Sequence, residues 1–107
     1  MKYIVAMATL LTLSVAGSDA HAQAAGNPVE GLAIAREVCS ECHAIQKGQV
    51  RSPNSRSPTF VELAHAPGMT AMALTVALTT PHAGMPMFIL TADQRANVIA
   101  YILGLKE

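Results

Sequence analysis

Two thiols and an imidazole lie together in the segment CSECH, which contains Cys39, Cys42 and His43. A structural zinc site needs four ligands, and no second pair follows at a matching spacing. A thioredoxin-type redox pair belongs in a βαβ setting, and a plain short disulfide is compatible with an exported protein. Covalent attachment of a c-type haem is the chemistry that requires a histidine directly after the second cysteine, so the segment favours this interpretation.

The spacing of the cysteines suits that chemistry, because residues three apart share a face of a helical turn and can both reach one edge of a porphyrin. An iron bound by His43 would then have a second axial position. The methionines and histidines that could fill it are Met69, Met72, Met85, Met87, His65 and His82. Met69 and Met72 are more typical of turn or core filling. His82 is the main rival of the loop methionines, because it lies in the same segment, PHAGMPM.

The elements that must position these residues are helical. Asn27 is a good N-cap, Pro28 suits the first helical position and Glu30 the third, so a helix is predicted over residues 28–42. A polar segment with glycine and prolines predicts a loop over residues 48–57. Capping residues, helix breakers and apolar spacing predict further helices over residues 59–66, 70–80 and 91–104. No strand-like alternation competes, so the sequence predicts a small all-α protein.

The first 22 of the 107 residues have the charged, apolar, small-residue order of a secretory signal, with cleavage expected after Ala22. The apolar run is shorter than the roughly 20 residues of a spanning helix, so no transmembrane anchor is expected after cleavage.

The domain predicted over residues 23–107 has about 85 residues, no Trp and three aromatic residues. A hydrophobic core of that size is marginal, which favours a cofactor as filling. Six basic and six acidic residues balance, and no basic patch suggests nucleic acid.

Three segments in this order resemble the class I c-type cytochromes: GLAIAREVCSECHAI, SPTFVELA and MPMFILTADQRANVIAYILGLK. The resemblance implies a small cytochrome c fold, with crossed N- and C-terminal helices around one haem c attached through Cys39 and Cys42. It also implies that Gly31 packs against Tyr101 where these helices cross. Ala35 departs from the family pattern, since many relatives carry an aromatic residue there.

The same resemblance implies that His43 and Met85 are the axial ligands. Met85 precedes Pro86, which restricts it to an extended conformation, and Met87 is then expected to pack against the haem. In the family, a proline carbonyl accepts a hydrogen bond from the ligand histidine. Pro58 matches this position best, and Pro53 is the alternative. Arg51, Ser52 and Arg56 belong to a loop that either meets the haem propionates or is solvated.

The predicted function is one-electron transport in a respiratory or oxidative chain of the periplasm. The expected partners are a redox donor and acceptor that dock at the exposed haem edge of a monomer. No nucleophile–base pair stands out, so an enzyme is not predicted. Two alternatives remain: a haem-based gas or redox sensor, and a haem-bearing subunit of a larger oxidoreductase complex.

Overall fold

The structure, a computed structural model, describes residues 26–107, and the predicted secretory signal lies outside this range. The described chain is helical and contains no strand. Its helices are α1 (Pro28–Ile34), extended by a π-helical turn (Ala35–Cys39), α2 (Phe60–His65), α3 (Ala71–Thr79) and α4 (Ala92–Gly104). Within residues 26–107, no helix has the length and apolar character needed to cross a membrane. The all-α prediction is confirmed, with helices close to the predicted ranges.

The first helix begins as predicted and ends earlier. The Asn27 side chain accepts a hydrogen bond from the Val29 amide, and Pro28 occupies the first turn. The expected α-helix over residues 28–42 is replaced after Ile34 by the π-helical turn, in which the Ser40 amide donates to Ala35 O at 2.9 Å. The helix therefore ends at Cys39. Single π-turns of this kind occur frequently at functional sites.

Helices α1 and α4 cross in close contact, and two glycines make the contact possible. A Cβ at Gly31 would lie 1.9 Å from Asn97 O and 2.9 Å from Tyr101 Cβ, which confirms the predicted packing of Gly31 against Tyr101. A Cβ at Gly26 would lie 2.1 Å from Ala96 O. Only residues without a side chain allow the two backbones to approach this closely.

Asn97 on α4 binds the start of α1 through two hydrogen bonds. Its Oδ1 accepts from the Asn27 amide at 2.7 Å, and its Nδ2 donates to Glu30 Oε2 at 2.8 Å. The amide of the α1 N-cap residue is therefore bound by the last helix. This contact holds the two ends of the domain together.

The other helix starts follow local capping chemistry. Thr59 with Glu62 forms a capping box at α2, and Thr91 with Gln94 forms one at α4. Helix α4 buries Val98 and other apolar residues against α1, α2 and α3. The core residues are Ala35, Cys39, Ile45, Phe60, Ala64, Leu74, Val98, Ile99, Ile102 and Leu105. Ala35 is fully buried, so the smaller side chain at this position is accommodated within the core.

Candidate haem-binding site

A cavity of about 510 Å³ lies among helices α2, α3 and α4, the segment after α1 and the loop before α4. Four predicted site residues line it: Cys39, His43, Pro58 and Met85. Its apolar wall is formed by Phe60, Leu63, Met69, Leu74, Ala77, Leu78, Val98 and Ile102. The volume lies within the range of roughly 300–1,000 Å³ that is usual for cofactor sites. The sequence therefore brings distant residues to one apolar cavity.

Cys39 ends the π-helical turn, Cys42 lies in the turn that follows, and the two do not form a disulfide. Cys39 is buried and lines the cavity, whereas Cys42 is half-buried and lies outside its wall. The Cys42 amide donates to Cys39 O at 3.2 Å, and the His43 amide donates to the same oxygen at 2.9 Å. Burial raises the pKa of the Cys39 thiol to about 11. An unattached Cys39 thiol would thus be neutral at physiological pH.

His43 is held by a backbone carbonyl. Its Nδ1 lies 2.6 Å from Pro58 O. A carbonyl oxygen can only accept, so Nδ1 carries the proton, and the lone pair of the neutral ring is on Nε2. The ring also packs against Phe60, with centroids 5.5 Å apart. Histidines that bind metals are commonly arranged in this way: one ring nitrogen donates to a carbonyl, and the other has a free lone pair for the metal.

Met85 ends a tight turn that begins at His82. The Met85 amide donates to His82 O at 3.4 Å. Gly84, between them, has a φ of +81°, and in the described chain only glycines have positive φ. A positive φ only at the third position is typical of a type II turn and explains the glycine. His82 Nε2 lies 3.1 Å from Met85 Sδ, so the two rival ligands are in direct contact.

The structure places some of the other candidate ligands at the main cavity and the rest away from it. Met69 lines the cavity but packs against the core, and Met72 is exposed on α3. His65 Nδ1 donates to Val61 O at 2.8 Å and lies outside the cavity wall. Met87 is half exposed and lines only a neighbouring cavity of about 20 Å³. Met85, His82 and Met69 are therefore the candidates at the main cavity.

The polar part of the cavity wall comes from the loop before α2. Arg56 contributes to it, with Asn54 and Ser57, whereas Arg51 is exposed elsewhere in the loop. Ser52 Oγ instead accepts a hydrogen bond from the Ala44 amide at 3.0 Å. The Asn54 amide donates to Cys42 O at 3.2 Å. Sequence reasoning missed Asn54, since asparagine is also the ordinary residue of a turn.

The residues at this cavity fit a covalently attached haem. The wall is mainly apolar, the Cys39 thiol lines it with Cys42 three residues further along the chain, and the oriented His43 ring has its Nε2 lone pair available. An all-α chain with a Cys-x-x-Cys-His segment at such a cavity is a c-type haem protein.

Comparison with known proteins assigns the family. The sequence model of the cytochrome c family matches residues 28–106. Cytochrome c-552 of Bradyrhizobium diazoefficiens is 32% identical over 96 residues, which cover 90% of this chain and 90% of that relative. No solved structure matches the chain significantly. The chain belongs to the cytochrome c family. It is an electron carrier, and its haem c is attached through its only two cysteines, Cys39 and Cys42.

Proposed function

We propose that this protein is an exported, monomeric carrier of single electrons with His43 and Met85 as axial ligands. The observation that carries the proposal is that both residues line the cavity that Cys39 also lines. The bound haem iron would supply the redox chemistry, cycling between Fe(III) and Fe(II). The chain's own residues hold, orient and shield that group.

The two ligands have different tasks. His43 is fixed by the hydrogen bond from its Nδ1 to Pro58 O, which orients the ring and leaves Nε2 as the nitrogen that would bind the iron. Met85 supplies a thioether, a weak donor that raises the reduction potential. Pro86 restricts the backbone of Met85 to extended conformations and so limits the motion of its sulfur. If His43 and Met85 both bind the iron, they would leave no site on it for oxygen or peroxide, which favours a carrier over an enzyme.

The polar residues of the wall have a separate role. We place Arg56, with Asn54 and Ser57, at the haem propionates, because apart from the two histidines they are the polar residues of a mainly apolar wall. A guanidinium pairs well with a carboxylate through parallel N–H donors. Such pairing would compensate for burial of the propionate charge.

The location and pathway are inferred from the sequence. Residues 1–22 have the pattern of a secretory signal, so we place the protein in the periplasm, in a respiratory or oxidative chain. Fractionation of the cells and mass spectrometry of the purified protein test this location. A mature chain that begins near Gln23 in the periplasmic fraction is expected, and an intact N-terminus in the cytoplasm would contradict it.

The ligand assignment is tested by the optical spectrum of the oxidised holoprotein. Met85→Ala should lose the iron–sulfur charge-transfer band and bind carbon monoxide rapidly when reduced, because one axial position opens. Met87→Ala is the matched control and should keep the band. His82→Ala should also keep it, since His82 is not assigned as a ligand. Retention of the band in Met85→Ala, or its absence from the unaltered protein, would refute the assignment.

A further inference from the structure

One long part of the chain carries no charge. No Asp, Glu, Lys or Arg lies between Glu62 and Asp93, so all charged residues of the described chain fall before or after this segment. The segment comprises the second half of α2, all of α3 and the loop that contains Met85. Its only ionisable side chains are His65 and His82. Charged residues normally cover a protein surface, so the gap calls for a physical reason.

The uncharged segment exposes large apolar side chains. They are Met72 and Val76 on α3, and Met87, Phe88 and Ile89 in the loop before α4. We call these five residues the neutral face. Ile89 is 99% exposed and Val76 is 53% exposed. Met and Phe are enriched at protein interfaces and charged residues are depleted in interface cores, so this composition is typical of a binding surface.

The two parts of the neutral face lie next to each other and next to the haem-binding cavity. The cavity of about 20 Å³ is lined by Ala77 and Leu78 of α3 and by Met87 and Phe88 of the loop. Met72 and Val76 are four residues apart and so share one side of α3. Met85 lines both the small cavity and the main one. The loop part of the neutral face therefore lies beside Met85, the residue that we assign as an iron ligand, and next to α3.

The hydroxyl groups of α3 add little hydration to this surface. Thr75 Oγ1 donates to Ala71 O at 2.8 Å, and Thr79 Oγ1 donates to Thr75 O at 2.7 Å. Their protons are already used within the helix. A partner that covers α3 would therefore leave few unpaired donors, and the cost of removing water is low.

We propose that the neutral face docks a redox protein whose own contact surface is apolar and uncharged, and that the encounter proceeds without electrostatic steering. This inference rests on the proposed function. The neutral face has five exposed side chains, whereas a stable interface uses roughly 20–30 residues on each side, which disfavours a permanent dimer. Transient redox complexes are at the small end of the range, and this face lies beside the haem-binding cavity. The partner is thus a transient electron donor or acceptor.

The probe for the test is a gold electrode coated with a methyl-terminated alkanethiol monolayer, which imitates an apolar uncharged partner. The holoprotein should exchange electrons with it faster than with carboxylate- or amine-terminated monolayers, and the rate should not change with ionic strength. Val76→Glu and Ile89→Glu should each lower the rate on the methyl surface by about tenfold, because a carboxylate must lose water on contact.

Two matched controls introduce the same charge elsewhere. Val29→Glu and Val50→Glu alter valines that are 75% and 85% exposed and lie outside the uncharged segment. They should leave the rate unchanged. Equal losses in controls and face variants, or faster exchange on a charged monolayer, would overturn the proposal.

Three further measurements distinguish docking of a redox protein from failed ligation, self-association and membrane binding. The charge-transfer band should be the same in all four variants, which shows that slower exchange reflects docking and not loss of a ligand. Sedimentation should show a monomer over a wide concentration range. A dimer that Ile89→Glu dissociates would overturn the redox-partner assignment in favour of a second copy of the chain. Binding to vesicles of neutral phospholipid, abolished by the same variant, would overturn it in favour of a membrane.

Discussion

Gly31 permits the crossing of α1 and α4, and Gly31→Ala tests how much stability depends on that crossing. The added Cβ would lie 1.9 Å from Asn97 O, a backbone atom that cannot rotate away. Ordinary van der Waals contact begins at 3.4 Å, so the helices must separate by about 1.5 Å. Such a separation would also break the two hydrogen bonds of Asn97 to Asn27 and Glu30.

The magnitude of the Gly31→Ala effect follows from three terms. Overpacking costs about 1–3 kcal/mol. Two lost hydrogen bonds cost about 1 kcal/mol each. The better helix propensity of alanine offsets about 1 kcal/mol. The free energy of unfolding should therefore fall by about 2–4 kcal/mol, a large share of the stability of a small domain.

Urea denaturation of the holoprotein, followed by far-UV circular dichroism, measures this loss. Gly104→Ala is the matched control, because a Cβ at Gly104 of α4 would meet nothing within 4 Å. It should leave stability unchanged or raise it by up to about 1 kcal/mol. If Gly31→Ala is as stable as Gly104→Ala, the close approach of the two helices does not contribute as argued.

Two further predictions concern titration and potential. Burial raises the pKa of Tyr101, against a smaller opposing effect of Arg36, so its contribution to stability is fully present below about pH 10 and declines as pH rises through the folded-state pKa. The difference in unfolding free energy between the unaltered protein and Tyr101→Phe should shrink over that alkaline range; a constant difference would contradict it. Arg56→Gln should lower the reduction potential by about 10–40 mV, equivalent to roughly 0.2–1 kcal/mol, because a cation near the iron favours the reduced state. Arg51→Gln, in the same loop but outside the cavity wall, should change it less, and equal shifts would count against the assigned role of Arg56.

Helix positions could be predicted because their causes are local. Asn27, Thr59 and Thr91 cap α1, α2 and α4 through bonds to amides two or three residues away, which sequence spacing alone indicates. The Cys-x-x-Cys-His segment and the methionine before Pro86 are equally local. For this reason the fold class and the residues proposed for the site were accessible without a structure.

Other features depend on partners that are distant in the sequence. Asn97 forms hydrogen bonds with Glu30 and Asn27, which precede it by 67 and 70 positions in the sequence. No local pattern predicts that Asn97 binds the start of α1. The sequence does not predict the π-helical turn. Its hydrogen bond, from the Ser40 amide to Ala35 O, takes the place of an ordinary α-helical bond, and the local sequence does not favour one of these bonds over the other. Asn54 could not be distinguished from a turn asparagine until the cavity wall was known.

Tyr101 links the helix crossing to the site. Its Cβ lies beside Gly31, its ring centroid is 6.3 Å from that of Phe60, and its hydroxyl donates to Ile45 O at 2.5 Å. Phe60 in turn packs against the His43 ring. A continuous path of contact therefore runs from the glycine in α1 to the histidine at the cavity. Because interiors are close-packed and transmit strain, separation of α1 and α4 should also loosen His43.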